Sequence, residues 1–270
     1  MCELLAMSCR YPARLTSSLT VLASHAKGDS RNRDGWGLAF YQGRDVALYR
    51  DTSPADICPL VPWLEANGPA TTLSMGYIRH ATQGAIDLAN TGPFMRELGG
   101  RMQVFTHNGN LKPLVQSSLG KNGTFQPVGE TDSELAFCLL LEQISQLSHA
   151  PRQAACLEAR MDAVAEMALS LREQGPATFL YADGDVLFAH ADRRLQPLTG
   201  QVTTPALYRL ECPAGDKTVL VYDGDFGDAP ATQRLILLAS VPLTDEAWTP
   251  MPEGEVLVVR QGEIIASVQL

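Results

Sequence analysis

Positive charge is scarce in this chain of 270 residues, where 21 Lys and Arg stand against 30 Asp and Glu for a formal net charge of −9. A surface of that sign repels phosphate backbones and anionic lipid, so neither a nucleic-acid partner nor a membrane partner is expected. No apolar run approaches the roughly 18 residues that a spanning helix needs. The opening MCELLAMSCR has no basic stretch and carries Glu3 where the apolar core of a secretion signal would run. A cytoplasmic protein is therefore expected. There is no G-x-S-x-G elbow and no G-x-x-x-x-G-K-[ST] phosphate loop, which removes two large classes of enzyme chemistry. The 5 histidines include no H-x-x-x-H and the 6 cysteines no C-x-x-C, so a helical metal pair, a zinc ribbon and a thioredoxin motif are all excluded. No metal and no cofactor are expected.

What is present is an ordinary globular composition, 45% hydrophobic and 19% charged. A chain of this length buries roughly 73% of the surface it exposes when extended, so its core needs no disulfide staple. Cys9, Cys138 and Cys156 stand in apolar surroundings and read as reduced, buried small hydrophobes. Cys58 and Cys212 are left open.

The patterning predicts strands at 36–41 and 45–50, joined in a hairpin at Gln42-Gly43-Arg44, and further strands at 71–79 and 102–107. The Gly-Pro loop at 90–94 must end one element and begin another. Thr131 and Glu134 form a capping-box pattern ahead of an apolar helix through Leu135, Cys138, Leu139, Leu141 and Ile144. A second helix is predicted over about 152–174, with Leu157, Met161, Val164, Ala168 and Leu171 on its apolar face, stopped by Gly175-Pro176. A hairpin at Asp183-Gly184 follows, then strands at 218–222, 234–241 and 255–260. Paired strands, a block of helices and more strands do not fit a doubly wound parallel sheet. They predict an α+β fold with antiparallel sheets and helices in outer layers.

Cys2 stands apart because of its position. If Met1 is removed, Cys2 carries a thiol and a free α-amine on adjacent carbons, and an α-amine titrates at about 7.7–8.0. Such a residue contains its own general base, and the thiolate is the attacking form. Three short segments could complete a site. Arg79, in GYIRHATQG, runs off a strand into a loop where its planar fork can face a carboxylate. Asn108 and Gly109, in THNGN, can donate two hydrogen bonds to one oxyanion. Asp132, in GETDSE, can bind an ammonium or simply favour a helix start.

Taken in order, Cys2, R-x-A-T-x-G at 79–84, N-T-x-P-F at 90–94, H-N-G at 107–109 and E-T-D-S-E at 130–134 resemble the glutaminase domain of class II glutamine amidotransferases. The opening MCELL, DGWGLAFY at 34–41 and LTDEAW at 243–248 are similar to a compact stand-alone branch of that family, which includes the YafJ-like proteins and γ-glutamyl amidohydrolases. The resemblance implies the four-layer αββα sandwich of N-terminal-nucleophile hydrolases, with two antiparallel sheets, as one glutamine amidotransferase type-2 domain over 2–270. It implies Cys2 as nucleophile with its α-amine as base, and Asn108 and Gly109 as the oxyanion hole. Arg79 would hold the substrate α-carboxylate, Thr82 would line the same pocket, and Asp132 would pair with the α-ammonium.

Two departures stand out. Relatives often carry His where this chain has Gly92, and the larger synthase-fused members usually carry Trp where it has His80. Neither change removes a chemical participant, but both bear on the leaving group. The expected reaction cleaves the γ-amide of glutamine through a Cys2 thioester, releasing glutamate and ammonia. The alternatives are hydrolysis of a γ-glutamyl peptide or conjugate by the same mechanism, and a non-catalytic binding or partner-dependent subunit. A separate ammonia-accepting synthase subunit stays open as a partner.

Overall fold

A computed structural model describes all residues except 1, 15–16, 27–31, 118–119, 121–122, 148–154, 197–198 and 213–231. In chain order the elements begin with β1 (Glu3–Ala13), α1 (Ser17–Ser24), β2 (Trp36–Gln42), β3 (Asp45–Asp51), α2 (Leu60–Asn67) and β4 (Thr71–Ile78). They continue with β5 (Phe94–Leu98), β6 (Arg101–Gly109), α3 (Lys112–Gln116), α4 (Asp132–Leu147), α5 (Leu157–Gln174), β7 (Ala177–Ala182) and β8 (Leu187–His190). The last are β9 (Arg194–Leu195), β10 (Val202–Thr203), β11 (Tyr208–Cys212), β12 (Leu235–Ala239), β13 (Thr249–Pro250), β14 (Glu255–Arg260) and β15 (Glu263–Gln269).

Two large sheets result, in the orders β13-β11-β12-β1-β4-β2-β3 and β15-β14-β8-β7-β6-β5, with β9 and β10 forming a small ribbon. Their strand pairs are antiparallel. Three apolar cores separate four layers. Leu5, Met7 and Cys9 of β1 meet Leu19, Leu22, Val61 and Leu64 of α1 and α2 on the outer face of the first sheet. Leu4 and Ala6, on the opposite face of β1, meet Val104, Leu180, Leu187 and Leu257 of the second sheet. The outer face of that sheet, with Phe105, Phe179 and Phe188, packs on Phe137, Leu140 and Leu141 of α4 and Val164 and Leu171 of α5. The expected αββα sandwich is therefore present.

The hairpin at 42–44 is present, with Trp36 paired to Asp51 and Gln42 to Asp45. So is the hairpin at 183–184, where Gly184 takes φ +80°. Thr131 caps α4 through a bond from the Glu134 N–H to its hydroxyl at 3.2 Å. The reciprocal half of the capping box is absent, because the Glu134 carboxylate turns instead to the Gly129 N–H at 2.8 Å and to Arg96. The second helix is described from Leu157, residues 152–154 and the strand expected at 218–222 lying outside the described residues.

One cysteine assignment is overturned. Cys9 and Cys138 are buried, but Cys156 is exposed, at the N-cap of α5 and outside the helix's apolar face. Cys58 and Cys212 are both buried.

Candidate active site

Pairing of Glu3 with Ile78 and Leu4 with Tyr77 carries Cys2, just ahead of β1, to the end of β4. There its sulfur sits among three polar groups. The Tyr77 hydroxyl donates to Sγ at 3.0 Å and the His80 backbone N–H donates at 3.3 Å. The thiol in turn donates to the His80 carbonyl oxygen at 3.4 Å. Burial pushes the Cys2 thiol above its ordinary value, partly offset by the Tyr77 and His80 donors, while the Asp132 charge adds to the upward push. Little thiolate is then present at neutral pH without a base to take the proton.

Asn108 and Gly109 are the last two residues of β6, paired with Thr178 and Ala177 of β7, so the strand runs beyond the expected end at 107 and the pair does not form a turn. Asn108 is fully buried, and among the described residues neither its Nδ2 nor its Oδ1 has a hydrogen-bond partner. Leaving a buried amide group unpaired costs about 1–3 kcal/mol, so such a group calls for an explanation. Gly109 has a definite steric reason to be glycine, since a Cβ there would collide with the Pro176 carbonyl oxygen. The room its missing side chain leaves is thus filled by the protein's own backbone. His107, the residue before Asn108, is buried with Nδ1 2.9 Å from the Ser133 hydroxyl and Nε2 3.4 Å from the Pro176 carbonyl. Burial holds its pKa down. A carbonyl oxygen can only accept, so Nε2 carries the proton and Nδ1 accepts from Ser133. This ties the end of β6 to the start of α4.

Asp132, at that start, is buried, with Oδ2 accepting from the Leu111 N–H at 2.6 Å and Oδ1 from the Ser133 N–H at 3.0 Å. No described cationic side chain forms an ion pair with it. Each carboxylate oxygen keeps a second lone pair, so the group can still accept from a ligand ammonium.

Arg79 is buried too, but its guanidinium reaches backbone rather than open space. It donates to the carbonyl oxygens of Ala85 at 2.9 Å, Gln83 at 3.1 Å and Gly84 at 3.4 Å, and so shapes the loop that follows it. Thr82 lies exposed on that loop. Gln83 Nε2 donates to Asn110 Oδ1 at 3.2 Å, joining the loop to the end of β6. A continuous run of contacts thus links Cys2, His80, the loop at 82–85, residues 108–111 and Asp132.

Sequence reasoning missed three supporting residues. Tyr77 is the first. Asp34 accepts from the Ala81 N–H at 2.7 Å and lies 3.5 Å from His80 Nδ1, fixing the start of the loop. Asn90 donates to Ala85 O at 3.2 Å and accepts from the Glu130 N–H at 2.7 Å, joining the loop to the approach to α4. Asp34 and Asn90 stand in the D-G-W-G and N-T-x-P-F segments, so the only signal was their place in those segments. Among the described residues no group of three or more His, Cys, Asp or Glu is placed to share a metal ion. No helix among them is long and apolar enough to cross a membrane.

The family model for class II glutamine amidotransferases matches residues 1–270. The chain belongs to that family. Two relatives within it are candidate glutamine amidotransferases. YafJ of Escherichia coli is 34% identical over 259 residues, covering 94% of this chain and 96% of its own. A protein of Haemophilus influenzae is 31% identical over 271 residues, covering 99% of this chain and 87% of its own. The 2.0 Å crystal structure of a predicted glutamine amidotransferase from Pseudomonas aeruginosa superposes with a TM-score of 0.69 at 30% identity, covering 98% of this chain and 99% of that one. The architecture of this class II amidotransferase is accordingly the N-terminal-nucleophile hydrolase sandwich.

Proposed function

We propose that residues 2–270 form one glutaminase domain that hydrolyses the γ-amide of glutamine to glutamate and ammonia. The observation that carries the reading is the Asn108 amide, buried at the end of β6 and without a partner among the described residues. An amide kept in that state is ready to donate to an oxygen that becomes charged only during reaction.

With Met1 removed, the Cys2 α-amine takes the thiol proton and Sγ attacks the γ-carbonyl carbon, driving the carbonyl electron pair onto oxygen. Asn108 Nδ2 and the Gly109 N–H hold that oxyanion. Collapse breaks the C–N bond, and the α-ammonium returns its proton to the departing nitrogen, which leaves as ammonia. Water then attacks the γ-glutamyl thioester, with the amine taking its proton and passing it to the leaving sulfur. Asp132 holds the substrate α-ammonium, Arg79 its α-carboxylate, and Thr82 lines the pocket beside them. A separate synthase subunit is the natural consumer of the ammonia, and the cytoplasm, with its reduced thiols, is the compartment that suits an unpaired Cys2.

A glutamine-analogue diazoketone should add its mass to Cys2 alone, and the intact protein should lack Met1. Label at another cysteine, or a retained Met1 in the active protein, would defeat the reading. A γ-glutamyl peptide or conjugate presents the same acyl half. Glutamate release measured in parallel from glutamine and from γ-glutamyl peptides identifies the leaving group.

Asp132→Asn should lower kcat/KM for the true substrate by roughly 10- to 150-fold, the range for losing one charge-assisted contact. It should also cost some stability, because the Nδ2 of the new side chain faces either the Leu111 or the Ser133 N–H. A normal kcat/KM in the folded variant would remove Asp132 from the site.

A further inference from the structure

Tyr77 is not among the residues the family resemblance assigns a role, yet its hydroxyl touches the sulfur of Cys2. The side chain is buried, and its oxygen has one hydrogen-bond partner among the described residues, Cys2 Sγ at 3.0 Å. The ring packs against the backbone of Gly92. A Cβ on Gly92 would come within 3.3 Å of Tyr77 Cδ1 and 3.4 Å of Cε1, tighter than ordinary packing. The other two contacts of Sγ come from His80, whose N–H donates and whose carbonyl oxygen accepts.

We propose that Tyr77 is a catalytic hydrogen-bond donor to Cys2, holding the sulfur in place and stabilising its thiolate, and that Gly92 makes room for it. The two contact partners respond differently when the thiol loses its proton. The bond to the His80 carbonyl is lost and that oxygen then faces a negative sulfur. The donations from Tyr77 and the His80 N–H strengthen, because a hydrogen bond to a charged acceptor is roughly twice as strong as one to a neutral acceptor. Tyr77 remains a donor throughout, since burial raises its phenol well above the ordinary value and the nearby Cys2 raises it further. Of the two donors, the hydroxyl is the one that a substitution removes without altering the backbone.

The inference rests on Cys2 being the nucleophile, so its test uses a readout that needs no turnover. Alkylation of Cys2 by iodoacetamide, followed peptide by peptide across pH in the native protein, reports the ionisation of that thiol alone. Tyr77→Phe keeps the ring and removes the oxygen. It should move the alkylation midpoint up by about one to two pH units, a factor of roughly 10 to 100 in thiolate population at fixed pH. In the same variant kcat for glutamine should fall by about tenfold or more, with KM changed less than twofold. A merely structural Tyr77 would lower the thermal midpoint and leave the alkylation midpoint where it was, and that result overturns the proposal. Should Tyr77→Phe fail to fold, Tyr77→Met decides by the same criterion, because a flexible side chain fills the same space without a hydroxyl donor. Full activity in Cys2→Ala would defeat the nucleophile reading instead, and the alkylation profile would still judge Tyr77 on its own.

Discussion

Cys2→Ala is expected to abolish glutamate release, while Cys2→Ser leaves a folded and very slow enzyme. Removing the nucleophile of a hydrolase of this kind costs on the order of 10⁶ in kcat, because every later step depends on the covalent intermediate. The two variants separate chemistry from packing. Alanine leaves the buried Tyr77 hydroxyl without its acceptor, a loss of about 1–3 kcal/mol. In a chain of this size each kcal/mol moves the thermal midpoint by roughly 2–4 °C. Serine keeps an acceptor for both Tyr77 and the His80 N–H, so its midpoint should stay closer to that of the parent. Both should nonetheless be catalytically crippled, since a hydroxyl ionises far less readily than a thiol. Glutamate release and thermal unfolding measured on the same samples check this. Wild-type turnover in Cys2→Ala would remove the thioester from the mechanism.

The parts of the fold legible in the sequence are those with local signals. The hairpin of β2 and β3, the turn between β7 and β8, and the capped start of α4 each carry turn or cap residues in fixed places. β1 carries none. Both of its faces are covered from Glu3 to Cys9, toward α1 and α2 on one side and toward the second sheet on the other. Its sequence therefore shows no polar alternation, although it is the strand that positions Cys2. Helices α1, α2 and α3 have only 8, 8 and 5 residues, too few for a period to stand out. Arg160 is buried within α5 because Asp183 and Asp185 at the tip of the β7–β8 hairpin meet it, a partnership that no helical period encodes.

The site divides in the same way. Cys2, Asn108 and Asp132 are recognisable from order along the chain. Tyr77 looks like an ordinary aromatic strand residue, and its role appears only when a partner 75 positions away is brought to its hydroxyl. Gly92 reads in the sequence as the loss of a polar group, and in the fold it packs against that ring.

Asn108→Ala should lower kcat by about 10²–10³ with KM little changed, the usual cost of one oxyanion donor. In the substrate the amide oxygen carries a partial charge, and in the tetrahedral intermediate a full one. A donor aimed there favours the transition state over the ground state and so acts on kcat. On the proposed reading substrate binding rests on Arg79 and Asp132 instead, which is why KM should hold. The stability readout makes the case distinctive. The Asn108 side chain makes no hydrogen bond among the described residues, so truncating it breaks none there. It also relieves the burial of an unsatisfied amide, worth about 1–3 kcal/mol per group, against the packing lost in the small cavity that alanine leaves. The thermal midpoint should therefore stay level or rise while kcat collapses. An asparagine held for structural reasons would give the reverse, a lower midpoint with turnover preserved in the folded fraction. Asn108→Asp should be worse than alanine, because its carboxylate would face the developing oxyanion and repel it. Measuring kcat, KM and the midpoint on one preparation of each variant decides the matter, and an unchanged kcat in Asn108→Ala would leave the oxyanion to Gly109 alone.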